Sequence, residues 1–145
     1  MTHAASSLHE RIAASFVRQG MLTTLGADLR SVAPGVVEVW LPYADGVTQQ
    51  QGGFHGGAMG MLADVAGGYA GLTVVPDGME VVTVEYKINF LASFQGGTLR
   101  AVGRVIKPGK RLIITTAEVN HVDEQGKVSP CALMQQTLVP VPKTY

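Results

Sequence analysis

Three features of the sequence predict an α+β domain in which one long helix is wrapped by an antiparallel sheet. Residues Gly56 to about Val75 are apolar on every side of a helical projection, as expected for a helix enclosed by other structure. Small residues recur along that segment (Gly57, Gly60, Gly67, Gly68 and Gly71 with Ala58, Ala63, Ala66 and Ala70), making a thin cylinder that a curved sheet can approach. Each glycine costs roughly 1 kcal/mol in a helix interior relative to alanine, so their number implies a packing reason. Third, the C-terminal half reads as long strands joined by short turns, the pattern of an antiparallel meander.

Taken in order, Ser7-Leu8-His9-Glu10 reads as a capping box, with Ser7 at the N-cap of a helix carrying Leu8, Ile12, Phe16 and Val17 on one face and stopping at Gly20. Leu25 to Val32 and Val36 to Leu41 read as two strands joined at Ala33-Pro34-Gly35. Residues 42–54 form a loop rich in Gly, Gln and Asp. The buried helix follows and ends at Pro76-Asp77-Gly78. Val82, Val84, Tyr86, Ile88 and Phe90 then alternate with Thr83, Glu85, Lys87 and Asn89, which predicts a half-buried strand with Thr83 on its polar face. Gln95-Gly96-Gly97, Pro108-Gly109 and 123–126 are turns separating strands at 98–106, 112–122 and 128–139. The sheet is expected to have about five or six strands. The whole of 1–145 reads as one domain, with a helical segment over 1–24 and the core over 25–140.

Composition excludes several classes. Eleven basic and eleven acidic side chains balance, so nothing argues for nucleic acid. The single cysteine, Cys131, rules out an internal disulfide framework and suits a reducing, cytoplasmic setting. His9, Glu10 and Arg11 stand where a signal peptide would need an apolar run, and no window is apolar enough to span a membrane. The four histidines are too dispersed to form a metal site, so no metal is expected, and His121 near a strand end is expected at the surface.

The most informative stretch is His55 to Asp64. It places one carboxylate within an otherwise apolar helix that opens on a glycine pair. A buried acid is costly unless it is paired or used. The bare helix start offers backbone N–H groups to a developing negative charge. Together they suit acyl transfer, which needs an oxyanion binder and a group that activates or supplies the nucleophile. Low polarity around a carboxylate makes it the stronger base. Whether Asp64 activates water or attacks the carbonyl itself stays open at this level.

These residues resemble a known family. The His-Gly-Gly start at 55–57, Leu-Ala-Asp at 62–64, Gly-Tyr-Ala at 68–70 and the strand order are similar to those of hotdog-fold acyl-CoA thioesterases of the phenylacetate-degradation (PaaI-like) type, over about Leu25 to Val139. The resemblance implies a hotdog fold and hydrolysis of an acyl-CoA ester, with coenzyme A as part of the substrate and no separate cofactor. It implies that Gly56 gives the N–H that binds the thioester oxygen, with help from Gly57. Asp64 is then the base or nucleophile, His55 orients the thioester, and Thr83 lies near the attacking water. Where better-known members carry Asn six residues before the histidine, this chain has Gln49. Each residue also has a structural reading: Asp64 bonded to a loop, His55 satisfied at the helix start, Thr83 an ordinary strand residue, and Gln49 and Gln50 solvated.

For substrate binding, Phe54, Met59, Met61 and Tyr69 suggest an apolar acyl pocket, aromatic or medium-chain. Lys107, Lys110 and Arg111 put three cations on one turn, either a solvated hairpin or a clamp for the phosphates of coenzyme A that Arg100 and Arg104 extend. Geometry adds a constraint. Gly56 and Asp64 are eight residues apart, about 12 Å along a helix, whereas reacting atoms must come within about 3–3.5 Å. If both act on one thioester, one of them comes from a second copy of the chain. That predicts a dimer with two shared sites, or a tetramer of such dimers. The competing functions are a hotdog enoyl-CoA hydratase or dehydratase, and a non-catalytic acyl-CoA binding protein.

Overall fold

The structure, a computed structural model, describes residues 2–145, with side chains from Ser7 onward. A six-stranded antiparallel sheet curves around one central helix. The elements are α1 (Thr2–Phe16), α2 (Gly20–Leu25), β1 (Asp28–Ala33), β2 (Val36–Pro42), a 3-10 turn at Asp45–Val47, α3 (Gly56–Leu72), β3 (Met79–Phe90), β4 (Thr98–Lys107), β5 (Ile113–Val122) and β6 (Val128–Pro142). The strand order is β1-β2-β4-β5-β6-β3, so the expected β4–β5–β6 meander forms the middle and β3 returns to an edge beside β6.

The N-terminal region departs most from expectation. α1 begins before Ser7, which lies inside the helix rather than at its N-cap, because the Ala-rich stretch upstream also supports a helix. Gly20 opens a second helix instead of ending the first, and Gly26, at φ 80°, closes it. β1 therefore starts at Asp28, not Leu25. Arg11 ties α1 to the far end of α3, donating to the carbonyls of Val75, Pro76 and Met79 at 3.0–3.2 Å.

α3 is enclosed on one side and open on the other, not buried all round. Leu62, Ala63, Ala66 and Ala70 are fully buried in the core with Val37, Val39, Leu99, Ala101, Ile113 and Leu138 from the sheet. Packing there is at backbone distance. A Cβ on Gly103 of β4 would collide with the Ala66 carbonyl, and one on Gly67 with Gln136 and Thr115. On the opposite side, Gly57, Met61, Asp64, Val65 and Gly68 form a stripe that the sheet leaves uncovered or half-covered. α3 ends at Leu72, short of Val75, where Thr73 caps it by donating to the Ala70 carbonyl and accepting from the Gly35 N–H.

β3 carries a bulge at Val84, where the pairing register with β6 slips between Thr83 and Glu85. A bulge exchanges the faces of the strand beyond it. Thr83 opposite Leu138, Tyr86 opposite Gln136 and Ile88 opposite Met134 thus share the helix-facing side, because all three partners are buried. The uninterrupted alternation expected for β3 is corrected here, and with it the assignment of Thr83 to the outer, polar face.

Candidate active site

The bulge brings Thr83 over the open stripe of α3, where its Oγ1 donates to Asp64 Oδ1 at 2.8 Å. Gln136 Nε2 also donates to Asp64 Oδ1 and, at 3.0 Å, to Thr83 Oγ1. Oδ2 of Asp64 has no partner among the described residues. Asp64 itself is half-buried and borders a cavity of about 430 Å³ lined also by Thr83, Gly68, Tyr69, Ser15 and Glu80. The carboxylate is thus held at one oxygen, and the other is left with capacity to bond a further group.

The other end of the motif is equally defined. His55 caps α3 with its own side chain, Nδ1 accepting from the Gly57 N–H at 2.7 Å. That bond occupies the N–H of Gly57, so the helper role expected of Gly57 meets a donor already engaged. The N–H of Gly56 has no partner among the described residues. Over Gly56 lies the ring of Phe90, itself 53% exposed, and over Gly60 lies the hydroxyl of Tyr86. The stripe Gly56–Gly60–Asp64 is therefore matched by Phe90, Tyr86 and Thr83 from β3. α3 is continuous between Gly56 and Asp64, which keeps the two groups about 12 Å apart within one chain.

Gln49 lies in the loop before the helix. Its carbonyl and side-chain oxygens accept from the Gly52 and Gln51 N–H groups, so it shapes that turn. Phe54 is not a pocket residue. It is 1% exposed, edge-on to Tyr43, and belongs to the core. Met59 is buried likewise, while Met61 is half-buried on the open stripe. Tyr69 does border the cavity, but by a polar end. Its hydroxyl accepts from Gln19 Nε2 at 2.6 Å and shares a 3.0 Å hydrogen bond with Ser15. Burial raises the Tyr69 phenol above its ordinary value, an effect the bonds from Ser15 and Gln19 oppose. The cavity beside Asp64 is thus polar as well as apolar, unlike the apolar pocket expected.

His121 is also not at the surface. It is 3% exposed, stacked on Phe94 at a centroid distance of 4.3 Å, and its Nε2 bonds the Gly96 carbonyl at 2.8 Å. Lys107, Lys110 and Arg111 are exposed on the β4–β5 hairpin and form no ion pair among the described residues. Arg100 does not extend them, since it stacks on Trp40 and pairs with Glu38 at 3.3 Å. Gln136 was not foreseen as a site residue. Its only sequence signal is a polar side chain among the apolar residues of β6, which strand residues commonly show on an outer face.

Comparisons with known proteins bear on the family and the fold. The family model described as the thioesterase superfamily matches residues 51–128. The 1,4-dihydroxy-2-naphthoyl-CoA hydrolase of Listeria monocytogenes is 32% identical over 118 residues, covering 79% of this chain and 94% of its own. The crystal structure of a thioesterase family protein from Silicibacter pomeroyi superposes with a TM-score of 0.90 at 34% identity, covering 94% of this chain and 99% of that one. The E. coli PaaI protein of the phenylacetic acid degradation operon gives 0.83 at 26% identity, covering 97% of both chains. The curved sheet around α3 is accordingly the hotdog fold, and no helix among the described residues is long and apolar enough to cross a membrane. With the match covering more than half of the chain, including the helix that carries Asp64 and the strands β3, β4 and β5, this chain belongs to the thioesterase superfamily.

Proposed function

We propose that this chain hydrolyses an acyl-CoA thioester to the free acid and coenzyme A, in a dimer whose two sites each draw on both subunits. The observation that carries the proposal is the pair of unengaged groups on α3: the Gly56 N–H at its start and Asp64 Oδ2 two turns on. In the antiparallel arrangement of two such helices, Gly56 of one subunit meets Asp64 of the other, twice. Support for association comes from β3. It is a 12-residue edge strand whose Val82, Val84, Tyr86 and Phe90 are exposed, and a long apolar edge invites pairing with another strand.

In this reading the thioester carbonyl oxygen accepts from the Gly56 N–H, strengthened by the helix dipole. Asp64 takes a proton from water as the water oxygen attacks the carbonyl carbon, or attacks that carbon itself to give an anhydride that water then opens. Collapse of the tetrahedral intermediate breaks the C–S bond, and the departing thiolate is protonated. His55 lies beside the thioester and Gln49 in the loop leading to it, while Met61 and the cavity beside Asp64 receive the acyl group. The unpaired cations Lys107, Lys110 and Arg111 bind the phosphates of coenzyme A.

Thiol release from a panel of acyl-CoA esters tests the reading. Asp64→Ala should lower kcat by about 10²–10⁴-fold, the range for loss of a general base. Release from no ester would overturn it. Mixing Asp64→Ala with Gly56→Pro subunits should restore about one working site per heterodimer. Proline is tolerated at the first turn of a helix but removes the N–H. Failure of any recovery on mixing would remove the shared site. Charge reversal at Lys110 and Arg111 should raise KM for a CoA ester well above its effect on a short pantetheine ester.

A further inference from the structure

Gln136 stands out among the buried polar groups, because it joins three elements and the reaction sketched above makes no use of it. Its side chain, on β6, is 1% exposed, and Thr115 beside it on β5 is fully buried. A buried primary amide is costly unless its oxygen and both N–H groups find partners. Here they do. Oε1 accepts from Thr115 Oγ1 at 2.7 Å, and Nε2 donates to Asp64 Oδ1, to Thr83 Oγ1 at 3.0 Å and to the Asp64 carbonyl at 3.3 Å. The amide has one workable orientation. Rotated by 180°, its oxygen would face the Asp64 carboxylate and its NH₂ the Thr115 hydroxyl, setting two acceptors against each other. The chain also keeps space for it. A Cβ on Gly67 would collide with Gln136 Oε1 and Thr115 Oγ1, so a glycine on the packed face of α3 admits the amide beneath Asp64.

We propose that Gln136 is a positioning residue for Asp64: with its amide oriented by Thr115, it fixes one carboxylate oxygen and leaves the other directed at substrate. The proposal rests on the thioesterase reading of the site. It extends that reading by a second row of residues, Thr115–Gln136–Asp64, running from the sheet interior to the helix surface. Thr83, bonded to both Gln136 and Asp64, completes the ring from β3. A carboxylate free to rotate would spend less time in the reactive geometry while binding substrate as before, so the loss falls on kcat rather than KM.

Steady-state kinetics on the full chain, with folding followed by thermal melting, test this. Gln136→Met, of similar shape, should lower kcat by 10–100-fold with KM changed less than twofold. Thr115→Val, which keeps the shape but frees the amide, should lower kcat by about 3–10-fold, and Thr115→Ser should restore it. In an Asp64→Asn background Gln136→Met should add nothing further. A folded Thr115→Val or Gln136→Met protein with wild-type kcat, or an equal loss in the Asp64→Asn background, overturns the proposal. An amide spectrum read without turnover separates the two claims. The Gln136 side-chain ¹H–¹⁵N signals should exchange slowly and shift on Asp64→Asn. Fast exchange and no shift overturn the positioning role even in an active enzyme. If those signals behave as stated and no ester is cleaved, the thioesterase reading fails instead.

Discussion

Gly67 and Gly68 are neighbours on one helix and do opposite things. A side chain at Gly67 would run into Gln136, Thr115 and Met134, whereas around Gly68 nothing lies within 4 Å. The first glycine lets the sheet close on α3, and the second leaves room beside Asp64 for something that is not part of the chain. The contrast extends along both faces. Ala63, Ala66 and Ala70 share the packed side with Gly67, while Met61, Asp64 and Val65 share the open side with Gly68. Small residues alone therefore do not distinguish a close approach from a vacancy. What lies opposite them does.

Substitutions along the two faces sharpen the contrast. The largest effect is expected at Gly103, which meets the helix backbone at Ala66. Since backbone cannot rotate aside, Gly103→Ala should cost about 3 kcal/mol, the upper part of the usual range for overpacking. Chemical denaturation measures it, and a loss below about 1 kcal/mol would show that sheet and helix are not in backbone contact. Next is Cys131, buried beneath the packed face with its Sγ 3.2 Å from Met59 Sδ. Burial pushes its thiol from 9.0 up to about 11. The folded state therefore holds its proton where the unfolded chain has lost it. The associated stability is complete below pH 9 and is lost as pH rises through about 11. Cys131→Ala should remove that alkaline slope, on the order of 2 kcal/mol. An unchanged slope would break the picture of a sealed face.

Gly67→Ala should be milder, about 1–2 kcal/mol, because the atoms it meets are side-chain ends that can move. Its clearer signature is kinetic. By displacing Gln136 it should lower kcat, with little change in KM. At the small end, Gly68→Ala should stabilise the protein by roughly 0.5–1 kcal/mol, the ordinary gain of alanine over glycine in a helix. A bulkier Gly68→Leu should then raise KM for long acyl groups more than for short ones. Equal effects on both would mean that the space over Gly68 is not where the acyl group lies.

Much of the fold was legible because its signals are local. Helical enclosure at α3, the period-two strands and the turn glycines are patterns within a few residues of one another, and they placed all six strands within three residues of the observed ends. β6 runs from Val128 to Pro142, past its expected end at Val139. What was misread depended on distant partners. The bulge at Val84 shows no punctuating glycine or proline, and it is set by pairing with β6. His121 reads as a surface residue until Phe94, from the β3–β4 connection, stacks on it. Phe54 reads as a pocket wall until Tyr43 and the loop close over it. At the site, Asp64, Gly56 and His55 were recognisable because one short segment carries them all. Gln136, 72 residues from Asp64, was not.

By itself, the sequence determined that a helix with one carboxylate and a glycine start would lie against an antiparallel sheet, and that those two groups would stand about 12 Å apart, too far to meet at one carbonyl within a chain. The first follows from local patterns in the helix and the strands, and the second from spacing along a single regular element, where geometry is set by the backbone. Only the tertiary structure decided which face of α3 is open, that Thr83 turns inward, and that Asp64 is held from beneath by an amide on β6. Those outcomes depend on strand register and on which side chains meet across the core, and register is set by the fit of the whole sheet around the helix rather than by any stretch of the chain alone.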